Sequence, residues 1–399
     1  MIRFTTAGES HGKGLIAVLE GVPAGLPLVA DDVDHQLRRR MAGYGRGARM
    51  TEIEADAVEF VSGVRAGGTL GSPIGMLVWN RDWEHWRDVM APEPDDDPAA
   101  GRRRRVTRPR PGHADLVGAL KYDRADARDV LERASARETA ARVACGAVCR
   151  RLLAEFGVEL GSHVIEIGSV RAKVPEALPT PLNEAADRSP VRCLDPAASD
   201  AMVAAVDQAA ADRETLGGAV EVVARGLVLG LGSHVSWDRR LDGRIGQALL
   251  SIPAVKAVEI GRAVETAGRP GSEAHDEILP GGAERAGGVV RASNRAGGLE
   301  GGMTTGQPVV VRAFMKPLST LKRPLATVDL DTGKPAKAQS ERSDVTAVPA
   351  MGVVAEAMLA IVLADAMTEQ FGGDTLADVR AAHDAYVARL GQRAPGRKR

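Results

Sequence analysis

The chain has 399 residues, 44% of them hydrophobic, which is enough for a large core, and a formal net charge of -1 at pH 7. Near-neutral charge and only 3% aromatic residues argue against a nucleic-acid binder. The three cysteines show no zinc-like spacing and read as small buried hydrophobes in a reducing cytosol. The N-terminus lacks the apolar segment of an export signal and no run reaches about 18 apolar residues, so neither export nor a membrane span is expected, and the expected location is the cytoplasm.

Leu15–Gly21 reads as a strand, and Asp31–Met41 as a helix with Val33, Leu37 and Met41 on one face. Ala57–Ser62 and Ile74–Trp79 read as strands. Ala91–Arg105 reads as a loop that turns from Asp-rich to Arg-rich. Ala114–Tyr122 is a short helix and Ser135–Phe156 a long one. Ser135 and Glu138 have the spacing of a capping box, which places Arg133 and Arg137 at a helix start. Free N–H groups and the dipole favour an anion there.

Val158–Val170 is strand-like, Ser199–Arg213 a helix, Ala219–Leu231 a strand and Leu241–Ser251 a helix. Val309–Met315 is a further strand, and Pro349–Phe371 a long apolar helix with proline at its start. Strands and helices mix without a steady βαβ alternation, so the class is α+β. No linker divides the chain: residues 1–390 read as one domain and 391–399 as a basic, disordered tail. Leu-Gly-Ser-His-Val at 160–164 and again at 231–235 hints at a duplicated half.

The chemistry concentrates in a few segments. Gly8-Glu-Ser-His-Gly12 presents Ser10 and His11 on a turn, and histidine is the side chain best tuned for proton transfer near neutral pH. Gly43-Tyr-Gly-Arg-Gly47 presents Arg46 between glycines, close to Arg40 and Arg49. Arg108-Pro-Arg-Pro-Gly-His-Ala-Asp115 carries Arg110 and a second histidine, His113, in a rigid turn. Gly297–Gly306 is too Gly-rich for regular structure and suits a backbone cradle for a flat or phosphorylated ligand. Lys316-Pro-Leu-Ser-Thr320 offers a cation and two hydroxyls, and Asp344 in Arg342-Ser-Asp-Val-Thr-Ala-Val-Pro349 is a salt-bridge partner or a positioned base. Two histidines, one carboxylate and many arginines, with no metal-ligand set, imply catalysis on a small, highly anionic molecule.

Those segments, in this order and across residues 8 to 349, resemble the chorismate synthase family. The resemblance implies a single-domain β-α-β sandwich, a homotetramer and a cytoplasmic enzyme of the shikimate pathway. The implied reaction is a 1,4-anti elimination that converts 5-enolpyruvylshikimate 3-phosphate to chorismate and phosphate. It needs reduced FMN although no net redox change occurs. In this family FMN is reduced either by the chain itself with NADPH or by an outside reductant such as a flavin reductase; with no added reductase domain in view the second route is favoured here, NADPH then entering indirectly. By the same resemblance His11 and His113 are general acids, and Ser10 and Ser135 orient them and the flavin. Asp344 helps remove the C6 proton. Arg40, Arg46, Arg49, Arg110 and Arg137 grip the substrate. Arg133, Ala134, Ser135, Pro253, Ala254, Gly301, Lys316, Pro317, Leu318, Ser319, Thr320 and Arg342 line FMN. The competing readings are another FMN-dependent oxidoreductase, and a nucleic-acid binder using Arg102–Arg105 and the tail.

Overall fold

Two antiparallel sheets enclose a layer of helices. The computed structural model describes residues 1–94, 104–281, 286–341 and 343–392. Arg342, Arg102 and Arg103, most of the charged insert and the last seven residues of the tail lie outside the described residues.

The first sheet consists of β1 (Arg3–Ala7), β2 (Gly14–Glu20), β3 (Val58–Ser62) and β4 (Ile74–Trp79), in the order β1-β2-β4-β3. The second consists of β5 (Glu159–Ile167), β6 (Val170–Arg171), β7 (Gly218–Arg225), β8 (Val255–Ile260) and β9 (Val309–Met315), in the order β8-β9-β7-β5-β6. Between them lie α1 (Ala30–Met41), α2 (Thr139–Ala154), α3 (Leu241–Leu250) and α4 (Val348–Phe371). Alternation decides the facing: Leu15, Ala17 and Leu19 of β2 and Ile74, Met76 and Val78 of β4 are buried under α2. Helix α4 is buried along nearly its whole length, against α2 on one side and β5 and β7 on the other. The fold is therefore α+β, a β-α-β sandwich.

Helix α4 is long and apolar enough to cross a membrane by length and composition, but it is the central core helix. It carries Glu356 at its middle, and that carboxylate holds the layers together. Arg39 of α1 gives it two hydrogen bonds of 2.9 and 3.0 Å. Arg150 of α2 gives one of 2.8 Å, Ser162 of β5 one of 2.6 Å, and Arg192 one of 3.2 Å. Burial works to raise the Glu356 carboxyl, but three guanidiniums override it and hold it well below the usual carboxylate range.

The edge strands β1 and β8 escape the sequence reading. The first is only half-buried and the second is bulged between Val255 and Ala257, so neither alternates cleanly. Helix Leu376–Gln392 escapes it too, since it buries only Val379. The strand expected over Ala219–Leu231 stops at Arg225. The Leu-Gly-Ser-His-Val repeat does not mark equivalent halves: the first copy lies inside β5 with His163 buried, the second in a turn with Val235 exposed. Cys145, Cys149 and Cys193 are free and buried, and burial pushes the Cys145 thiol up to about 12.

Two outcomes are expected. A Cβ at Gly146 of α2 would sit 2.4 Å from the Ala357 Cβ and 2.5 Å from its Cα, where α2 crosses α4. Gly146→Ala should therefore destabilise the fold by about 1–3 kcal/mol in denaturant unfolding. Glu356→Gln should cost about 3–5 kcal/mol at pH 7, since it strands buried guanidiniums. The Glu356 carboxyl is depressed in the fold, so its contribution is full above the unfolded value of about 4.3 and is lost as pH falls towards the folded value. The gap between wild type and Glu356→Gln should narrow below about pH 4; a gap constant down to pH 2 would contradict the assignment.

Candidate active site

A cavity of about 620 Å³ opens beside the N-terminal ends of α2 and α4. Its floor is apolar, formed by Leu131, Ile252, Met315, Leu318, Met351 and Val354. Its walls carry Ser10, His11, Arg40, Arg46, Arg49, Arg110, His113, Ser135, Arg137, Lys316 and Asp344. Segments from seven separate stretches of the sequence thus meet in one place.

The helix start at Ser135 differs from a full capping box. The Ser135 hydroxyl accepts from the Arg137 N–H at 3.3 Å, and a short turn over Ala136–Glu138 precedes α2. Glu138 instead pairs with Arg142. Arg137 projects into the cavity wall, whereas Arg133 turns away to the carbonyls of Thr6 and Gly8 and does not line the cavity.

The cations are held by protein partners first. Arg137 Nη1 lies 2.7 Å from both oxygens of Asp56, and its Nε donates to Asn80 at 2.8 Å. Arg49 donates to the Ser10 hydroxyl at 2.8 Å and to Glu54 at 2.9 Å. Arg46 donates to Asp344 at 2.7 Å, and the Gly47 amide donates to the other Asp344 oxygen at 2.7 Å. Arg40 donates to Thr139 and to the Ala136 carbonyl, each at 3.0 Å. What remains is specific: among the described residues, Arg40 Nη1, Arg46 Nε and Arg137 Nη2 are buried without a hydrogen-bond partner. Asp56 and Glu54 stand 3.5 and 3.6 Å from the first and the last of these. Burial pushes the Arg40 guanidinium down to about 9, Asp56 opposes this, and Arg137 and Arg46 add to it. Buried donors left over in this way suit an anion.

Both histidines point Nδ1 at a buried carboxylate. Glu132 lies 2.9 Å from the His11 Nδ1, and also accepts from the His11 backbone N–H at 2.9 Å. The His11 ring stacks on Trp86, with centroids 3.9 Å apart. Asp115 lies 2.5 Å from the His113 Nδ1. Gly8 makes the first turn possible: it sits at φ +104°, and a Cβ there would meet the Gly14 carbonyl at 2.3 Å. The turn does not expose its residues as the glycine spacing suggests, since Ser10 is buried and His11 largely so.

At the other wall Lys316, Ser319 and Thr320 approach the Gly112 turn, with Ser319 donating to the Gly112 carbonyl at 3.0 Å. Ala254 takes a left-handed φ of 70°, and its carbonyl receives the Lys316 N–H at 3.0 Å. Non-glycine strain of this kind, about 1–3 kcal/mol, gathers at functional sites. Lysine burial and the nearby Lys256 lower the Lys316 ammonium from its ordinary value. Ala134, Pro253, Ala254 and Leu318 line this part, while Gly301 and Pro317 do not line the cavity. Arg110 does line it, but its donors go to Asp115 and Thr320. An apolar floor edged by lysine and hydroxyls suits a flat ring bearing a phosphate. Among the described residues no group of three or more His, Cys, Asp or Glu is arranged to hold a metal ion.

Glu132, Asp56, Glu54 and Trp86 were not singled out from sequence. Glu132 directly precedes the Arg133-Ala-Ser motif, which was the one available signal.

A β-α-β sandwich whose cavity joins orphaned guanidinium nitrogens to two carboxylate-backed imidazoles defines an enzyme that acts on a small, multiply charged anion. A sequence model of the family described as chorismate synthase matches residues 2–368. Chorismate synthase of Salinispora tropica is 55% identical over 395 residues, 98% of this chain and 99% of that one. Chorismate synthase of Moorella thermoacetica is 57% identical over 387 residues, 97% and 98% of the two chains. A chain from a crystal structure of chorismate synthase superposes with a TM-score of 0.78 at 42% identity, covering 98% of both chains. The chain belongs to the chorismate synthase family, whose members are carbon–oxygen lyases of aromatic amino-acid biosynthesis.

The orphaned nitrogens make a direct test available. Inorganic phosphate should raise the unfolding temperature of the wild type, by about 1.4 kcal/mol of added stability at ten times its Kd. Arg40→Met keeps the Arg137–Asp56 pair and should lose about 1.5–3 kcal/mol of that binding. An equal phosphate shift in both proteins would move the anion site elsewhere.

Proposed function

We propose that this cavity converts 5-enolpyruvylshikimate 3-phosphate to chorismate and phosphate, with Arg40, Arg46 and Arg137 holding the anionic groups of the substrate. The observation that carries this reading is the set of three buried guanidinium nitrogens left without hydrogen-bond partners beside two imidazoles. The substrate brings two carboxylates and a phosphate. Those nitrogens supply donors already fixed by Asp56, Asn80, Asp344, Thr139 and the Ala136 carbonyl, so little reorganisation is needed on binding.

His11 stands on the arginine side, next to Ser10, and is the acid for the departing phosphate. His113 stands beside Lys316, Ser319 and Thr320, and serves the flavin side. Asp344 assists removal of the C6 proton, with one oxygen held by Arg46 and the other by the Gly47 amide. Ser135 donates to Ser10 at 3.2 Å, and Ser10 in turn accepts from Arg49, a chain that fixes the side chain next to His11. Reduced FMN, when bound, supplies electrons that help the C–O bond break and that return by the end of the turnover. Lys316, Ser319, Thr320, Ala134, Pro253 and Ala254 would hold it. On this reading FMN arrives already reduced by an outside donor, and the chain works as a homotetramer in the cytoplasm.

Mixed without oxygen with this substrate and chemically reduced FMN, the protein should yield chorismate and phosphate in equal amounts, and neither with oxidised FMN. NADPH consumption without phosphate release would favour a flavin oxidoreductase instead. His11→Ala and His113→Ala should each lower kcat about 10²–10⁴-fold with the fold intact by circular dichroism.

A further inference from the structure

We propose that Glu132 and Asp115 are positioning residues that hold His11 and His113 as oriented acids, each anchored in turn by an arginine. This rests on the reading of the two histidines as acids.

The two arrangements match although they arise from different parts of the chain. In the first, the Glu132 side chain is 1% exposed and takes three hydrogen bonds from His11: one from the backbone N–H and two contacts of 2.9 and 3.0 Å at Nδ1. Arg128 holds the same carboxylate at 2.9 Å, one helical turn earlier. In the second, the Asp115 side chain is fully buried and lies 2.5 Å from the His113 Nδ1. Arg110 grips it through Nε at 2.8 Å and Nη2 at 3.1 Å, and the Arg110 backbone N–H adds a third bond at 3.0 Å. Arg110 Nη2 also lies 3.1 Å from the His113 Nδ1. That nitrogen cannot accept a guanidinium proton while it gives its own proton to Asp115.

The consequence is chemical. A carboxylate at Nδ1 fixes a proton there and sets the ring plane, so that Nε2 is the edge left to exchange a proton with a ligand. Trp86 restricts the His11 ring further by stacking. Asp82 also faces His11, 3.9 Å from Nε2, and is itself near Arg49 and His85. Burial works to raise the Glu132 and Asp115 carboxyls, but their histidine and arginine partners keep both below the usual carboxylate range. The two carboxylates therefore stay charged across the working range. Arg110 and Arg128 are spent on this task rather than on the substrate.

The test compares Glu132→Gln, Asp115→Asn and the conservative Glu132→Asp with the wild type. Each amide variant should lower kcat about 10–100-fold with KM within about threefold, since the ring loses the partner that orients it. Glu132→Asp should restore part of the rate. Independently of turnover, ¹⁵N NMR of the histidine rings should show Nδ1 carrying a proton in His11 and His113 of the wild type, with that protonation lost for the affected ring in each amide variant. Nδ1 protonation unchanged in both amide variants, or kcat unchanged in both, would overturn the proposal. His11→Ala or His113→Ala with near-normal turnover, alongside the expected NMR changes, would instead overturn the reading of the histidines as acids.

Discussion

The structure depends on keeping charge buried, and on helix α4 as the place where that charge is balanced. Its first turn supplies Ala350 and Met351 to the cavity lining, and two residues beyond Val354 the Glu356 carboxylate ties α1, α2 and β5 together. A displaced α4 would therefore open the cavity and strand three guanidiniums at once. Breaking a buried pair on one side costs more than the pair contributes, which makes this arrangement hard to distort.

The cavity applies the same chemistry with a different result. Around Glu356 the guanidiniums are fully matched. Around the cavity Asp56, Glu54 and Asp344 hold Arg137, Arg49 and Arg46 in fixed orientation, yet nitrogens remain unsatisfied on Arg40, Arg46 and Arg137. The protein carboxylates lock the geometry and leave the remaining donors to a ligand. The apolar floor lowers the local dielectric, which strengthens those contacts once an anion excludes water.

Much of the fold was legible because α2, α4 and the central strands β2, β4, β7 and β9 bury strongly patterned apolar faces. The edge strands β1 and β8 and the last helix were not, because each is only partly covered and its pattern is set by neighbours absent from its own sequence. The candidate site was legible as motifs: the structure gathers Ser10, His11, Arg40, Arg46, Arg49, Arg110, His113, Ser135, Arg137, Lys316 and Asp344 in one cavity. It leaves Arg133, Gly301 and Pro317 outside that cavity, since a motif specifies a stretch of backbone and not the direction of each side chain.

By itself the sequence determined the residue types: turns carrying histidine, arginines in number, a helix start beside Arg137, and an order of motifs specific to one family. Only the tertiary structure decided what each charge does. Arg110 and Arg49 bond Asp115 and Glu54, Glu132 and Asp115 back the imidazoles, and among the described residues three guanidinium nitrogens of the cavity are buried without a hydrogen-bond partner. The reason is physical. Arg110 and Arg49 find their carboxylates five residues away, but Arg137 is held by Asp56, 81 residues away, and Arg46 by Asp344, 298 residues away, and only folding brings such pairs within hydrogen-bond reach.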